Sequence, residues 1–163
     1  MASFKNMNKK KITELLIFIV SAELVGALSA LIAGNSSHFY NELAQPPLSP
    51  SSWLFPIVWA ILYALMGISV YMIYRADLSE DSKRKAYIIY GVQLFVNFLW
   101  SIAFFRIKMI GISVGIIVLL DALIIAMLVI FHKLKPASAY LNIPYLVWTL
   151  FATYLNIGIL LLN

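Results

Sequence analysis

Cysteine is absent from all 163 residues, which removes disulfides, thiolate metal sites and cysteine nucleophiles together and leaves the redox state of the compartment unreadable. Histidine is almost as scarce. His38 and His132 are far apart in the chain, and no metal-ligand spacing, phosphate loop or nucleotide fingerprint accompanies them. No metal site and no conventional enzyme active site is therefore expected. Charge is also in short supply, at 12% of residues against about 25% in soluble domains. Internal repeats and low-complexity tracts are missing, and no pair of Gly/Pro-interrupted helices marks the two halves of an inverted-repeat transporter.

What fills the chain is apolar. Hydrophobic residues make up 63% of it and the mean hydropathy is +0.91. Five runs reach the length of about 20 residues that crosses a hydrocarbon core of about 30 Å: residues 12–33, 53–75, 87–105, 109–131 and 140–162. The pattern predicts an all-α membrane protein, a single five-transmembrane-helix bundle spanning residues 1–163. The first run follows Lys5, Lys9, Lys10 and Lys11, as a signal peptide would, but its 22 apolar residues exceed the roughly 7–15 of a cleaved segment, so it reads as a retained helix.

A net charge of +5 raises the question of a nucleic-acid partner, and the placement of the charge answers it. If the five runs cross in turn, ten of the 12 Lys and Arg residues fall on one side and two, Arg106 and Lys108, on the other. The positive-inside rule then predicts a cytoplasmic N-terminus and an external C-terminus, most simply in a bacterial cytoplasmic membrane, with no nucleic-acid partner. The charged stretch at residues 76–86 reads as a solvated turn.

One connection is long, polar and proline-bearing: "GNSSHFYNELAQPPLSPSS", residues 34–52. Long ordered loops in compact folds are often lids, and a passive connector is the competing reading. Within the helices, residues with polar or aromatic groups recur on single faces. Phe55, Trp59, Tyr63 and Gly67 do so in the second, Gln93, Asn97, Trp100 and Phe104 in the third, and Trp148, Ala152 and Asn156 in the fifth. Each face alone is explained by interfacial aromatic belts or by amides bonding between helices. Together they suit a pocket that grips a flat ligand with polar groups at its edge. Small residues at Ala22, Gly26, Ala30 and Gly34, and at Gly111 and Gly115, let backbones approach, either within the bundle or in a dimer. Packing within the bundle is the preferred reading for the first set.

Glu23 and Asp121 lie near mid-membrane, where a charge costs about 2.5–3.5 kcal/mol on insertion scales. Either carries a proton in transport or sits protonated and hydrogen-bonded between helices. Two further readings of function follow: a proton-coupled exporter of hydrophobic cations using Glu23, and a structural membrane partner with a vestigial pocket.

The stretches "VGALSALI", "QPPLSPSSWLFPIVWAILYALMG", "QLFVNFLWSIAFF", "LLDALII" and "PYLVWTLFATYLN", in that order and spacing, resemble the tryptophan-rich sensory proteins, a family that includes the mitochondrial translocator or peripheral benzodiazepine receptor. The resemblance covers the chain after residue 20. It implies a five-helix bundle, often a homodimer, that binds tetrapyrroles such as protoporphyrin IX as ligands rather than covalent cofactors. In some members it implies sterols or drugs instead. It places the pocket beneath the first loop and assigns Trp59, Tyr63, Asn97, Trp100, Trp148, Ala152 and Leu155 to it, beside the Gln93, Phe104 and Asn156 suggested by spacing. It further implies, for some bacterial members, light-dependent porphyrin breakdown and a role in porphyrin transport, sensing or disposal. The candidate redox partners would be Trp59, Trp100 and Trp148.

Three departures are specific to this chain. The family's "KPSWTPP" reads "QPPLSPS" here, so Gln45 replaces a basic residue, Leu48 a tryptophan and Ser51 a proline. Glu23 matches no family acid, whereas Asp121 does. Nothing basic follows Tyr154, so the mammalian sterol motif is incomplete; the match at Leu65, Tyr71 and Arg75 is weak, and poor cholesterol binding is expected.

Overall fold

The computed structural model describes residues 9–34 and 36–163; Lys5 of the basic N-terminal group and Asn35 of the long loop lie outside the described residues. The helices are α1 (Lys9–Ala33), α2 (Ser36–Glu42), α3 (Leu54–Arg75), α4 (Glu80–Ser101), α5 (Ile110–Leu134), α6 (Pro136–Tyr140) and α7 (Ile143–Leu162), with a π-helical turn at Ile102–Arg106 prolonging α4. Five helical stretches are long and apolar enough to cross a membrane, and the protein is an integral membrane bundle.

Three boundaries differ from the sequence expectation. The third span begins at Glu80 rather than 87, so most of the supposed turn at residues 76–86 is helix. Its start is set by Ser79, whose side chain accepts from the Ser82 N–H, and by Glu80 and Asp81 in the first turn, where carboxylates meet the positive end of the helix dipole. The fifth stretch is not one helix from residue 140. α6 and α7 are separated at Leu141–Asn142, with Pro136 and Pro144 each near a helix start, where a missing N–H costs nothing. Lastly, the long loop contains α2.

Around the bundle, α1 packs along α3 and on α4, α4 on α5, and α5 on α7. Phe55 and Trp59 of α3 close the ring by meeting Trp148 and Tyr145 of α7 at centroid distances of 5.8 and 6.2 Å. The α1–α3 contact depends on glycine at two points. A Cβ on Gly67 would lie 2.7 Å from the Ile19 Cα, and one on Gly26 would overlap the Tyr63 ring. The small-residue stripe of α1 therefore serves packing within the bundle. Gly111 has only Leu160 near its position, at 3.9 Å, and Gly115 has nothing within 4 Å.

The end of the bundle away from α2 is the better filled. Leu120, Ile124, Met127 and Phe131 of α5 are fully buried there with Met66, Ile73 and Tyr145. Several of their polar neighbours bond one another. The Tyr145 hydroxyl donates to Gln93 Oε1 at 2.8 Å, and Gln93 Nε2 reaches Met66 Sδ at 3.7 Å. Asn142 Nδ2 donates to Ser69 Oγ at 2.6 Å and to the Ser138 carbonyl at 3.0 Å, while Ser69 Oγ donates to that same carbonyl. In lipid such groups have no other source of partners.

Candidate functional site

At the opposite end, under α2, the helices enclose a cavity of about 150 Å³. α1 gives it a smooth wall of small side chains, Gly26, Ser29, Ala30 and Ala33; α2 gives the roof, with Ser36, Ser37 and Tyr40. Aromatic and amide groups come from across the bundle: Phe55, Trp59 and Tyr63 on α3, Asn97 and Trp100 on α4, and Phe105 from the π turn. An α-helix presents one residue per 100° or so. The wider π turn swings Phe104 and Phe105 so that both pack on Trp100, one stacked and one edge-on, each at 6.1 Å. Trp59 lies 6.1 Å from Trp100 and 5.8 Å from Tyr63, so three rings form a continuous aromatic wall.

The polar groups of this wall are only partly engaged. Asn97 Nδ2 donates to the Tyr63 hydroxyl at 3.2 Å. The Trp100 indole N–H and the Tyr40 hydroxyl are buried and have no hydrogen-bond partner among the described residues. An unmade hydrogen bond of this kind costs about 1–3 kcal/mol, and an acceptor in the cavity reaches these buried atoms only if neighbouring side chains shift. Tyr90, Trp148, Asp121 and Asn142 also each leave one buried polar atom unpaired, but none of them lines the cavity.

The roof is fastened on its far side to α7. The Asn163 side chain exchanges two 3.0 Å bonds with the backbone of Ala44, the Tyr154 hydroxyl donates to the Pro47 carbonyl at 2.8 Å, and Pro46 packs where Gly158 leaves room for it. Gln45 donates to the Tyr40 carbonyl at 2.8 Å and so closes the end of α2. On its near side the roof joins α1 through Gly34, whose φ of +71° suits glycine. The loop is thus tied to α7 at its far end and joins α1 at Gly34.

Of the residues singled out by sequence, Trp59, Tyr63, Asn97 and Trp100 line the cavity. Phe104, Ala152, Leu155 and Asn156 line a smaller adjoining space of about 20 Å³ that shares Tyr40, Phe55, Trp100 and Phe105 with it. Asn156 is bonded to Ser113 Oγ there. Gln93 and Trp148 line neither space: Gln93 belongs to the filled end, and Trp148 packs between Phe55 and Phe151. Asp121 is buried and accepts from Thr153 Oγ1 of α7 at 2.7 Å, a tie between helices; Glu23 is half-buried and outside the cavity. Sequence reasoning did not point to Ser29, Ala33, Ser36, Ser37, Ser52, Pro56, Ser101 or Phe105 as lining residues.

The sequence matches the TspO/MBR family over residues 17–162. It is 36% identical to the Tryptophan-rich protein TspO of Archaeoglobus fulgidus and 33% identical to that of Chlorobaculum tepidum, in each case over 96% of this chain and 99% of the relative. It is 32% identical to the Translocator protein of Bos taurus over 85% of this chain and 83% of that one.

Proposed function

This chain belongs to the TspO/MBR family, and on that premise we propose that it is a membrane receptor for a planar tetrapyrrole of the protoporphyrin IX type, held in the cavity under α2. The observation that carries the reading is the aromatic wall of Trp59, Tyr63 and Trp100 with an unsatisfied indole N–H in it. Flat π surfaces favour a flat partner, and the free donor favours one with acceptors. Such a ligand is larger than a cavity of about 150 Å³, since sites that bury drug-sized ligands run to about 300–1,000 Å³. Binding therefore requires the loop over the cavity to rise or α1 to move outward from its close contact with α3.

In this reading the lid faces the outside of a bacterial cytoplasmic membrane, the N-terminus is cytoplasmic, and the protein carries, senses or disposes of porphyrin. For light-dependent breakdown, Trp59 and Trp100 are better placed as redox partners than Trp148, because they border the cavity. The test is a titration with protoporphyrin IX in detergent or nanodiscs, followed by tryptophan quenching. Saturable binding is expected, and Trp100→Leu should weaken it about 5- to 30-fold, the equivalent of about 1–2 kcal/mol of aromatic contact. Quenching that never saturates, in a folded preparation, would contradict the proposal.

A further inference from the structure

The loop over the cavity, residues 34–52, carries no Lys or Arg, and its Gln45 is engaged with the Tyr40 carbonyl. A tetrapyrrole of the proposed kind carries acidic groups at its edge, and an edge left at the cavity mouth needs a counter-charge. Among the described residues, Arg106 and Lys108 are the only Lys or Arg on the α2 side of the bundle.

Neither lines the cavity itself, but each lies against a segment next to its lining residues. Arg106 Nη1 comes within 3.9 Å of where a side chain on Gly34 would begin, and Gly34 joins the lining residues Ala33 and Ser36. Arg106 also directly follows Phe105, which lines the cavity. Lys108 Nζ lies 4.7 Å above the ring of Phe39, next to the roof residue Tyr40. Both cations are exposed, and neither forms an ion pair with any described residue; the nearest acid on the roof, Glu42, is taken by His38 at 3.3 Å.

The backbone that delivers them is unusual twice over. Arg106 ends the π turn, with the Ile107 N–H bonded to the Ile102 carbonyl and the Met109 N–H to the Ala103 carbonyl, both at 2.9 Å. Lys108 has φ +62°, a left-handed conformation that a residue with a Cβ seldom adopts. Departures of this kind gather at functional sites and are held only where surrounding contacts enforce them.

We propose that Arg106 and Lys108 form a cationic rim that binds the carboxylates of the ligand seated under α2, where the loop itself offers no Lys or Arg. The proposal rests on the receptor reading above and names the ligand class more narrowly: a tetrapyrrole with free acid groups at one edge. The macrocycle lies against Trp59 and Trp100, and its propionate edge points to the junction of α1, α2 and the π turn. The guanidinium offers paired donors to a carboxylate, and the ammonium, shielded on one side by Phe39, acts as a point charge.

The experiment compares protoporphyrin IX with its dimethyl ester in phosphatidylcholine nanodiscs, where the macrocycle is unchanged and the charge is removed. The free acid is expected to bind about fivefold tighter than the ester to the unmodified protein, as two partly exposed ion pairs allow. In the double variant R106Q/K108Q the two should bind alike, at the ester's affinity. The charge-preserving R106K/K108R should restore part of the difference. Raising ionic strength should weaken the acid and leave the ester unchanged, a readout that needs no variant. Equal affinity for acid and ester in the unmodified protein overturns the rim while leaving the receptor reading intact, and so does an acid preference that survives in R106Q/K108Q. If the cations serve lipid phosphates instead, acid and ester bind alike, and R106Q/K108Q loses only thermal stability gained in phosphatidylglycerol over phosphatidylcholine bilayers. Absence of saturable binding by both compounds overturns the receptor reading and the rim with it.

Discussion

At the end of the bundle away from α2, Tyr145, Gln93 and Met66 fill the space between α3, α4 and α7 and spend their polar atoms on one another. At the α2 end, Trp59, Trp100 and Phe105 surround a space of about 150 Å³, and Trp100 and Tyr40 hold polar hydrogens toward no partner among the described residues. Both ends use aromatics and amides at helical spacing. In a bilayer, packing apolar groups releases no water, so cohesion depends on close contact and on interhelical hydrogen bonds. One end takes most of both, leaving single polar atoms of Tyr90 and Asn142 unpaired. The other forgoes contacts, and under the receptor proposal a bound ligand would supply them and stabilise the fold.

The contrast breaks down if damage to the filled end impairs binding as much as damage to the cavity. Phe131→Ala should cost the most stability, because Phe131 is fully buried. With little change in water exposure the loss is mainly the void, about 100 Å³ at about 24 cal/mol per Å³, or about 2 kcal/mol. Thermal unfolding in detergent would show it, while porphyrin affinity of the folded fraction should stay within about twofold. Asn142→Ala comes next. It removes two donated bonds at the junction of α3, α6 and α7, and about 1 kcal/mol of stability is expected to go with them.

At the cavity end the expectations reverse. Asn97→Leu removes one bond, at 3.2 Å, and keeps the apolar volume, so melting should shift by less than the equivalent of about 1 kcal/mol. Porphyrin affinity should nevertheless fall severalfold. Smallest of all is Tyr154→Phe, which frees the Pro47 carbonyl but leaves the Asn163 ties. It should leave the melting temperature nearly unchanged and raise hydrogen exchange in residues 36–47. It should also leave sterol affinity unaltered, since the hydroxyl is engaged with the loop. Strong, saturable cholesterol binding lost in Tyr154→Phe would show that the missing base after Tyr154 does not matter.

Much of the architecture was legible because spanning a bilayer leaves few choices: length, hydropathy and the asymmetry of Lys and Arg mark five crossings. The start of α4 was not, because Ser79, Glu80 and Asp81 look polar enough for a turn although they are also a cap and a charged first turn. Nor was the π turn, since nothing in "SIAFFR" distinguishes its hydrogen bonding from that of an ordinary helix. The site was legible on α3 and α4, where bulky side chains repeat. It was blurred along the helix axis. A face every four residues runs the length of a helix, whereas the cavity occupies one end of the bundle, so Gln93 shares its stripe with Asn97 and not its surroundings. The α1 wall was hidden for another reason: Ser29, Ala30 and Ala33 contribute by being small, and a small residue looks the same whether a helix or an empty space faces it.

Ala30 offers the sharpest separation of the two ends, because it borders the cavity and is exposed, so that a larger side chain there meets no packed core. Protoporphyrin IX affinity of Ala30→Phe should fall at least about tenfold, the equivalent of about 1.4 kcal/mol, with an unchanged or raised melting temperature because the void is filled. Undiminished affinity in a well-folded Ala30→Phe would place the ligand elsewhere and leave the space under α2 without the role assigned to it.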